Sequence, residues 1–168
     1  ATGFTGKLAV EYIDNNYSDL KWAIAGRNSE KLNQISNSTK SKPPIFIASS
    51  DDGNSLSEVV KKTNVIASLA GPFSKYSNEL VNQCYENNTN YVDITGENIW
   101  VRDLIDRYHK GCEDKGIFII PSCGYDSIPS DIGSFYCHMM LNENIDHIDG
   151  YHTGKGGVSG GTIESAFN

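Results

Sequence analysis

The first residues carry a glycine pattern that could bind phosphate. They read ATGFTG, with Gly3 and Gly6 three residues apart, and an apolar helical pattern follows directly. Gly3 would let the backbone approach a pyrophosphate without a Cβ in the way, and Gly6 would let the helix pack closely against a sheet. The free N–H groups and positive dipole end of that helix would attract the anion. We therefore predict that a dinucleotide is bound here by Ala1, Thr2, Gly3, Phe4, Thr5 and Gly6.

An arginine follows the next apolar run, residues 22–25, and indicates which dinucleotide is bound. An Asp or Glu at this point holds the ribose 2′-hydroxyl in NAD-binding folds, whereas the fixed charge of Arg27 suits a 2′-phosphate. We therefore expect NADP, with NAD the weaker alternative. Asn28 is expected to contribute to this site and to cap the next helix. Lys31, one turn further, either adds charge to the same phosphate or faces solvent.

Two later loops extend the candidate cofactor site. Asp51 follows the apolar run 45–48, where the adenine amino group is often met, although a turn-forming Asp explains it equally well. The second loop follows the run 65–69, at the carboxyl edge where open α/β sheets bind ligands. Its glycine would permit close approach to the nicotinamide half, or would form a plain strand-to-helix turn. The residues of this loop are Ala70, Gly71, Pro72 and Phe73.

The candidates for catalysis follow the last two apolar runs. Asp93 and Glu97 come after the run 91–94, and Tyr125 and Asp126 come after the run 117–120. Hydride transfer needs a positioned nicotinamide and usually a nearby acid or base, which any of these four side chains could supply. Each of them also suits a turn or a helix start, so the catalytic group stays open. The four histidines show no metal-ligand spacing, and we expect no metal site.

Short apolar runs alternate with helical patterns along most of the chain. The predicted strands are residues 22–25, 45–48, 65–69, 91–94 and 117–120, and the predicted helices are 6–13, one after residue 28, 56–62, 78–86, 100–115 and 132–141. This alternation predicts an α/β fold, a Rossmann-type doubly wound parallel sheet with helices on both faces. Strands in such a sheet are covered on both sides, which would explain why residues 117–120 are apolar throughout.

The chain begins inside the glycine loop, so we expect the first strand of this sheet to be missing and the sequence to be a fragment of a longer protein. In the Rossmann order the absent strand would lie between the strands at 22–25 and 65–69, each of which would then have an unpaired edge. The NAD(P)-binding domain should span residues 1–143. A Gly-rich stretch at 150–161 indicates that residues 144–168 start a second α+β domain.

Composition excludes several classes of protein. The 168 residues are 38% hydrophobic and 21% charged with a net charge of −7, which suits a globular protein and disfavours nucleic acid as a partner. No apolar run reaches the roughly 18 residues that a membrane span requires. The four cysteines, at 84, 112, 123 and 137, form no C-x-x-C pair, which indicates reduced thiols in a reducing compartment.

Taken together, the motifs resemble the saccharopine dehydrogenase-like oxidoreductases, a group related to the trans-acting enoyl reductases of lipid biosynthesis. The resemblance rests on the N-terminal loop, AGRN at 25–28, AGPF at 70–73, YVDITGE at 91–97, IIPSCGYDSIPSD at 119–131 and SGGT at 159–162. The block at 119–131 is the most specific. The resemblance implies a Rossmann domain followed by an α+β domain for substrate binding or dimerisation, with a homodimer as one expected assembly. It also implies a location on the cytoplasmic side of lipid droplets or membranes, reached through regions outside this chain.

The same resemblance implies hydride transfer between NADP and a small-molecule substrate. The reacting bond would be a C=C or C=N bond of a lipid-related or amino-acid-related compound. No residues resemble a site for saccharopine itself, so the family name does not indicate the substrate. The alternative is a non-catalytic NADP-binding redox sensor or a lipid-droplet-associated scaffold, which the absence of a convincing acid–base pair keeps open.

Overall fold

The computed structural model describes residues 1–141, 145–155, 157 and 160. Strands and helices alternate through most of this part of the chain. In order they are α1 (Phe4–Asn16), β1 (Ile24–Gly26), α2 (Ser29–Ser38), β2 (Ile45–Ile47), α3 (Gly53–Val60), β3 (Val65–Ser68), α4 (Phe73–Tyr76), α5 (Asn78–Glu86), β4 (Asn90–Asp93), α6 (Asn98–Lys115), β5 (Ile119–Ile120) and α7 (Ile128–Leu141).

Every predicted strand and helix is present, with its bounds shifted by a few residues. The structure also contains a helix that was not predicted, α4, because its four residues are too few to show a helical period. The helix α7 begins at Ile128, four residues before the predicted start at 132. Pro129 did not prevent this early start, because a proline in the first turn of a helix gives up an N–H group that has no intrahelical partner.

The strands pair in parallel, as the α/β prediction requires. β1 pairs with β2 in one sheet, and β3, β4 and β5 pair in that order in a second sheet. Among the described residues β1 and β3 are not paired with each other, in agreement with the expected strand order. The amine of Ala1 donates to the carbonyl oxygen of Ala25 at 3.0 Å, which places the glycine loop beside β1.

Three clusters of buried apolar side chains hold the helices onto these sheets. The largest joins α5 and α6 to β4 through residues that include Val81, Tyr91 and Leu104. A second cluster, Val10, Ile24 and Leu32, joins α1 and α2 to β1. The third joins α3 to the region after β2 and consists of Ala48, Leu56 and Val59.

The expectation that both faces of every strand are covered is wrong for β5 in this structure. Phe118 is 64% exposed and Ile120 is 47% exposed, so the face that carries these alternate side chains is largely open to solvent in the described part of the chain. The apolar helix α7 likewise has no buried residue within the described part of the chain. None of the described helices is long and apolar enough to cross a membrane.

The second domain expected from residue 144 falls largely beyond the part of the chain that the structure describes. Residues 142–144, 156, 158–159 and 161–168 are outside it, and these include most of the SGGT motif at 159–162. The proposed boundary between residues 143 and 144 therefore stays a prediction.

A glycine in the middle of α6 permits a close contact with α5. A Cβ at Gly111 would lie 2.8 Å from Cε2 and 2.9 Å from Cζ of Tyr85, and still closer to its hydroxyl oxygen. The Tyr85 ring cannot move away easily, because it packs against Tyr108 with ring centroids 5.1 Å apart and carries the Lys115 amine 4.1 Å from its centroid. α6 is followed by Gly116, whose φ of 66° is the left-handed conformation that commonly ends a helix.

We expect Gly111→Ala to destabilise the protein although alanine is the better helix former. Overpacking against the held tyrosine ring should lower the free energy of unfolding by about 1 to 3 kcal/mol. Gly133→Ala is the matched control, since a Cβ at this position in α7 meets nothing within 4 Å. Gly133→Ala should raise the free energy of unfolding by about 0.5 to 1 kcal/mol, because alanine is the better helix former. Denaturant unfolding of the full-length variants measures both, and equal effects of the two substitutions would contradict the packing argument.

Candidate functional site

The start of α1 is built to accept an anion. Gly3 is its N-cap residue in an extended conformation, and the first turn has neither a side-chain cap nor an acidic residue. The first N–H groups of a helix have no intrahelical partner, so they are available to a ligand. A Cβ at Gly3 would meet nothing within 4 Å, which leaves this side of the loop open.

Gly6 has the opposite surroundings. It is buried, and a Cβ there would lie 2.7 Å from the carbonyl oxygen of Ala1. Gly6 therefore permits close packing of α1 against the backbone of the glycine loop itself. The sequence pattern predicts close packing against the sheet instead. Of the other predicted loop residues, Phe4 is exposed, while Thr2 and Thr5 are partly buried.

Arg27 lines an open surface cavity at the end of β1. The cavity has a volume of about 340 Å³ and is lined by Arg27, Ile47, Ala48, Ser49, Asp52 and Ser55. Asn28 caps α2 as predicted, since its Oδ1 accepts a hydrogen bond from the Lys31 N–H at 2.8 Å. Both Arg27 and Lys31 are exposed, so their charges can reach a ligand in solution.

Two adjacent aspartates after β2 have different roles. Asp51 is exposed and forms a hydrogen bond with the Ser49 hydroxyl, which, together with the nearby charge of Arg27, lowers the pKa of the Asp51 carboxyl. Asp52 caps α3 and accepts from the N–H of Asn54 at 3.1 Å and of Ser55 at 3.2 Å. The sequence reasoning singled out Asp51 and missed Asp52, which lines the cavity. The signal was an Asp directly before a helical pattern.

The loop after β3 begins at the surface and ends in the core. Ala70 is exposed and Gly71 is partly buried, and the peptide bond between Gly71 and Pro72 is cis. Phe73 is only 5% exposed and stacks on Trp100 with ring centroids 6.1 Å apart. Its ring is therefore a core group, and the residues of this loop that remain open to a ligand are Ala70 and Gly71.

Glu97 reaches this loop from the end of the neighbouring strand. Its carboxylate accepts from the N–H of Phe73 at 2.7 Å and from the N–H of Ser74 at 2.9 Å, at the start of α4. Its own N–H donates to the hydroxyl oxygen of Thr95 at 3.1 Å. The carboxylate therefore joins the loop after β4 to the loop after β3.

Asp93, the last residue of β4, is 2% exposed and is held by several donors. Its carboxylate accepts from the N–H of Thr95 and of Ser122, each at 2.9 Å, and from the Tyr91 hydroxyl at 2.8 Å. Burial raises the pKa of Asp93, and these hydrogen bonds oppose the rise. Ser122 has a φ of 62°, in the left-handed region that costs a residue with a side chain, and the contact with Asp93 helps to hold it there.

Tyr125 and Asp126, the remaining catalytic candidates, lie outside this hydrogen-bonded group. Tyr125 is 83% exposed and Asp126 is exposed, both in the turn before α7. Cys123 is partly buried, with its thiol 3.3 Å from the carbonyl oxygen of Ile120, and burial raises its pKa. No group of three or more His, Cys, Asp or Glu side chains that could hold a metal ion occurs in the described part of the chain.

The sequence model of one protein family matches the part of the chain from the glycine loop to the end of β5. The family is described as the saccharopine dehydrogenase NADP binding domain, and the match covers residues 1–120. This chain belongs to the saccharopine dehydrogenase family. NADP is the cofactor of the matched domain, in agreement with the prediction from Arg27.

Three named relatives each match between 86% and 99% of this chain. A lipid droplet localized protein of Caenorhabditis elegans is 31% identical over 95% of this chain and 40% of its own length. A saccharopine dehydrogenase-like oxidoreductase of Rattus norvegicus is 32% identical over 99% of this chain and 44% of its own length. A trans-acting enoyl reductase of Mycobacterium bovis is 36% identical over 86% of this chain and 35% of its own length. The chain thus spans less than half the length of these relatives.

A solved structure supports the fold alone. Saccharopine dehydrogenase (L-Glu forming) of Saccharomyces cerevisiae superposes with a TM-score of 0.69 at 15% identity, over 84% of this chain and 30% of that one. The Rossmann-type fold expected from the sequence is therefore confirmed.

The buried Asp93 carboxyl should give stability a distinctive dependence on pH. Because its pKa in the folded protein is raised above the ordinary value of 3.8, the folded state holds the proton more tightly than the unfolded chain does. Stability relative to an Asp93→Asn variant should therefore fall as pH rises from 3.8 through the raised pKa, by at most about 1.4 kcal/mol per pH unit. Urea unfolding of both full-length proteins across this range measures the difference.

Asp14 provides a control of opposite sign. Its carboxylate accepts from the N–H groups of Lys40 and Ser41, and these bonds lower its pKa. Stability relative to Asp14→Asn should therefore rise with pH from the lowered pKa of Asp14 up to about 3.8, and it should stay level at higher pH, where stability relative to Asp93→Asn falls. If both differences rise with pH, Asp93 is stabilised in its ionised form and the argument from burial is wrong.

Proposed function

We propose that the full-length protein is an NADP-dependent oxidoreductase that transfers a hydride to a C=C or C=N bond of a lipid-related or amino-acid-related substrate. The observation that carries the proposal is the placement of Arg27 on the cavity beside β1, in a domain whose first helix begins without a cap. These are the two places at which a Rossmann domain holds the 2′-phosphate and the pyrophosphate of NADP.

The residues present fit this cofactor. The open side of Gly3 and the N–H groups at the start of α1 suit the pyrophosphate. The guanidinium of Arg27, with Lys31 on the next helical turn, suits the 2′-phosphate. The cavity lined by Ser49, Asp52 and other residues lies next to Arg27, where we place the adenosine end. Asp51, on the same loop, stays a candidate for the adenine amino group.

The loop after β3 and the candidate acid–base side chains would serve the nicotinamide end of the cofactor. When bound, the nicotinamide of NADPH supplies the hydride. Ala70 and Gly71 leave the loop after β3 open for the nicotinamide half. Asp93 and Glu97 are held in internal hydrogen bonds, so Tyr125 and Asp126, exposed before α7, are the better candidates for acid–base groups that contact the substrate.

The names of the relatives support the substrate class. One relative is named as an enoyl reductase, which favours reduction of a C=C bond, and another is named for its location on lipid droplets. We extend both properties to this protein as proposals: a lipid-related enoyl substrate and association with the cytoplasmic side of lipid droplets. A homodimer formed through the second domain stays a prediction from the sequence.

A non-catalytic NADP-binding sensor or lipid-droplet scaffold is the second candidate. It is favoured by the internal hydrogen bonds of Asp93 and Glu97, which take two of the four predicted acid–base groups out of contact with substrate. Steady oxidation of NADPH by the full-length protein with a lipid enoyl substrate would exclude it.

We expect Arg27→Ala to weaken binding of NADPH and to leave NADH binding unchanged. A hydrogen bond to a charged group contributes about 1.5 to 3 kcal/mol, which corresponds to a rise in the NADPH Kd of about 10- to 100-fold. Fluorescence titration of the full-length protein with each cofactor measures both affinities. Arg102→Ala is the control, since this exposed arginine on α6 pairs with Asp106. Equal losses for NADPH and NADH would contradict the assignment of the 2′-phosphate to Arg27.

A further inference from the structure

One series of hydrogen bonds connects the ends of three strands. Ser122, after β5, and Thr95, after β4, both donate their N–H to Asp93. The Glu97 N–H donates to the Thr95 hydroxyl oxygen, and the Glu97 carboxylate accepts from the first two N–H groups of α4, after β3. We call these residues, Asp93, Thr95, Glu97 and Ser122, the strand-end network.

Glu97 is the member of this network that fixes the loop after β3. Pro72 is the N-cap residue of α4 and provides no side-chain acceptor, so the start of this helix depends on an acceptor from elsewhere. Glu97 supplies it: its two carboxylate oxygens accept from the N–H groups of Phe73 and Ser74, which lie 24 and 23 residues earlier in the chain. Hydrogen bonds from a helix start to a carboxylate are charge-assisted and are stronger than those between neutral groups.

The same contacts argue against Glu97 as a proton donor or acceptor for substrate. Both of its oxygens already accept hydrogen bonds from backbone N–H groups inside the protein. The segment that they hold begins directly after Gly71 and Pro72, in the loop that we assign to the nicotinamide half. The placement of that half against a substrate must be accurate, because small errors in orientation are costly in hydride transfer.

We propose that Glu97 is a positioning residue: through the N–H groups of Phe73 and Ser74 it holds the loop 70–73 in the form that accepts the nicotinamide half of NADPH. This inference rests on the proposed function, because it assumes that the domain binds NADPH with its nicotinamide at this loop. It assigns to Glu97 a part in cofactor binding that is separate from the 2′-phosphate contact of Arg27.

The test compares the binding of NADPH with that of 2′,5′-ADP, because the two ligands share the adenosine end. NADPH carries the nicotinamide half, whereas 2′,5′-ADP carries only the adenosine with its 2′-phosphate and 5′-phosphate. In the full-length protein, Glu97→Gln replaces one acceptor oxygen by an NH₂ group that faces a backbone N–H. We expect the Kd for NADPH to rise about tenfold, the effect of losing one charge-assisted hydrogen bond, and the Kd for 2′,5′-ADP to stay unchanged. Fluorescence titration measures the first and calorimetry the second.

Two further variants make the result decisive. Thr95→Val keeps the side-chain shape but removes the acceptor for the Glu97 N–H, and it should give the same selective loss on a smaller scale; it decides the question if Glu97→Gln does not fold. Glu113→Gln, on an exposed glutamate paired with Lys110 near the end of α6, should change neither affinity.

The outcomes separate this inference from the proposed function. If the unmodified protein binds neither ligand, the proposed function is wrong and the inference fails with it. If the unmodified protein binds both, and Glu97→Gln weakens both equally or weakens neither, only the positioning role of Glu97 is overturned. A loss confined to NADPH supports it, since general destabilisation of the fold would lower both affinities.

Discussion

Parallel pairing of the strands is the constraint on which the candidate site depends. Within each sheet all carboxyl ends point the same way, so the loops that follow the strands emerge at one edge. In one sheet this brings Arg27 beside the residues after β2. In the other it brings the loops after β3, β4 and β5 within hydrogen-bonding distance of each other. The chemistry of the domain is thus set by short loops on a rigid support.

The buried Asp93 shows how such loops can be held together. Burying a carboxyl group is unfavourable unless its oxygens find donors, and here the donors come from β4 itself, from the residues directly after it and from the loop after β5. The energetic cost remains visible in the raised pKa of Asp93. The hydrogen bonds to Asp93 join the ends of β4 and β5, and an apolar side chain could not make them.

Local patterns made much of the fold predictable from the sequence. α6 has an apolar stripe of buried residues at helical spacing, namely Trp100, Leu104, Tyr108 and Cys112. This stripe and the end of the helix at Gly116 are patterns of nearby residues, as is the cap that Asn28 places on α2. Exposure of β5 could not be read from its apolar residues, because it depends on how many strands and helices lie beside it. The burial of Phe73 and the contacts of Glu97 with α4 could not be predicted from the sequence either. The carboxylate suited the start of its own helix, and only the folded chain shows that it binds N–H groups 23 and 24 residues away.

The central claim is that this domain holds NADP between the start of α1 and the loop after β3. Amide hydrogen exchange of the full-length protein with and without NADPH tests it most directly, because the first N–H groups of α1 exchange freely unless a ligand accepts their hydrogen bonds. We predict slower exchange at residues 3–6, 27–31 and 70–74, with no change in the last turn of α6. Protection elsewhere in the protein, with unchanged exchange at the start of α1, would contradict the account.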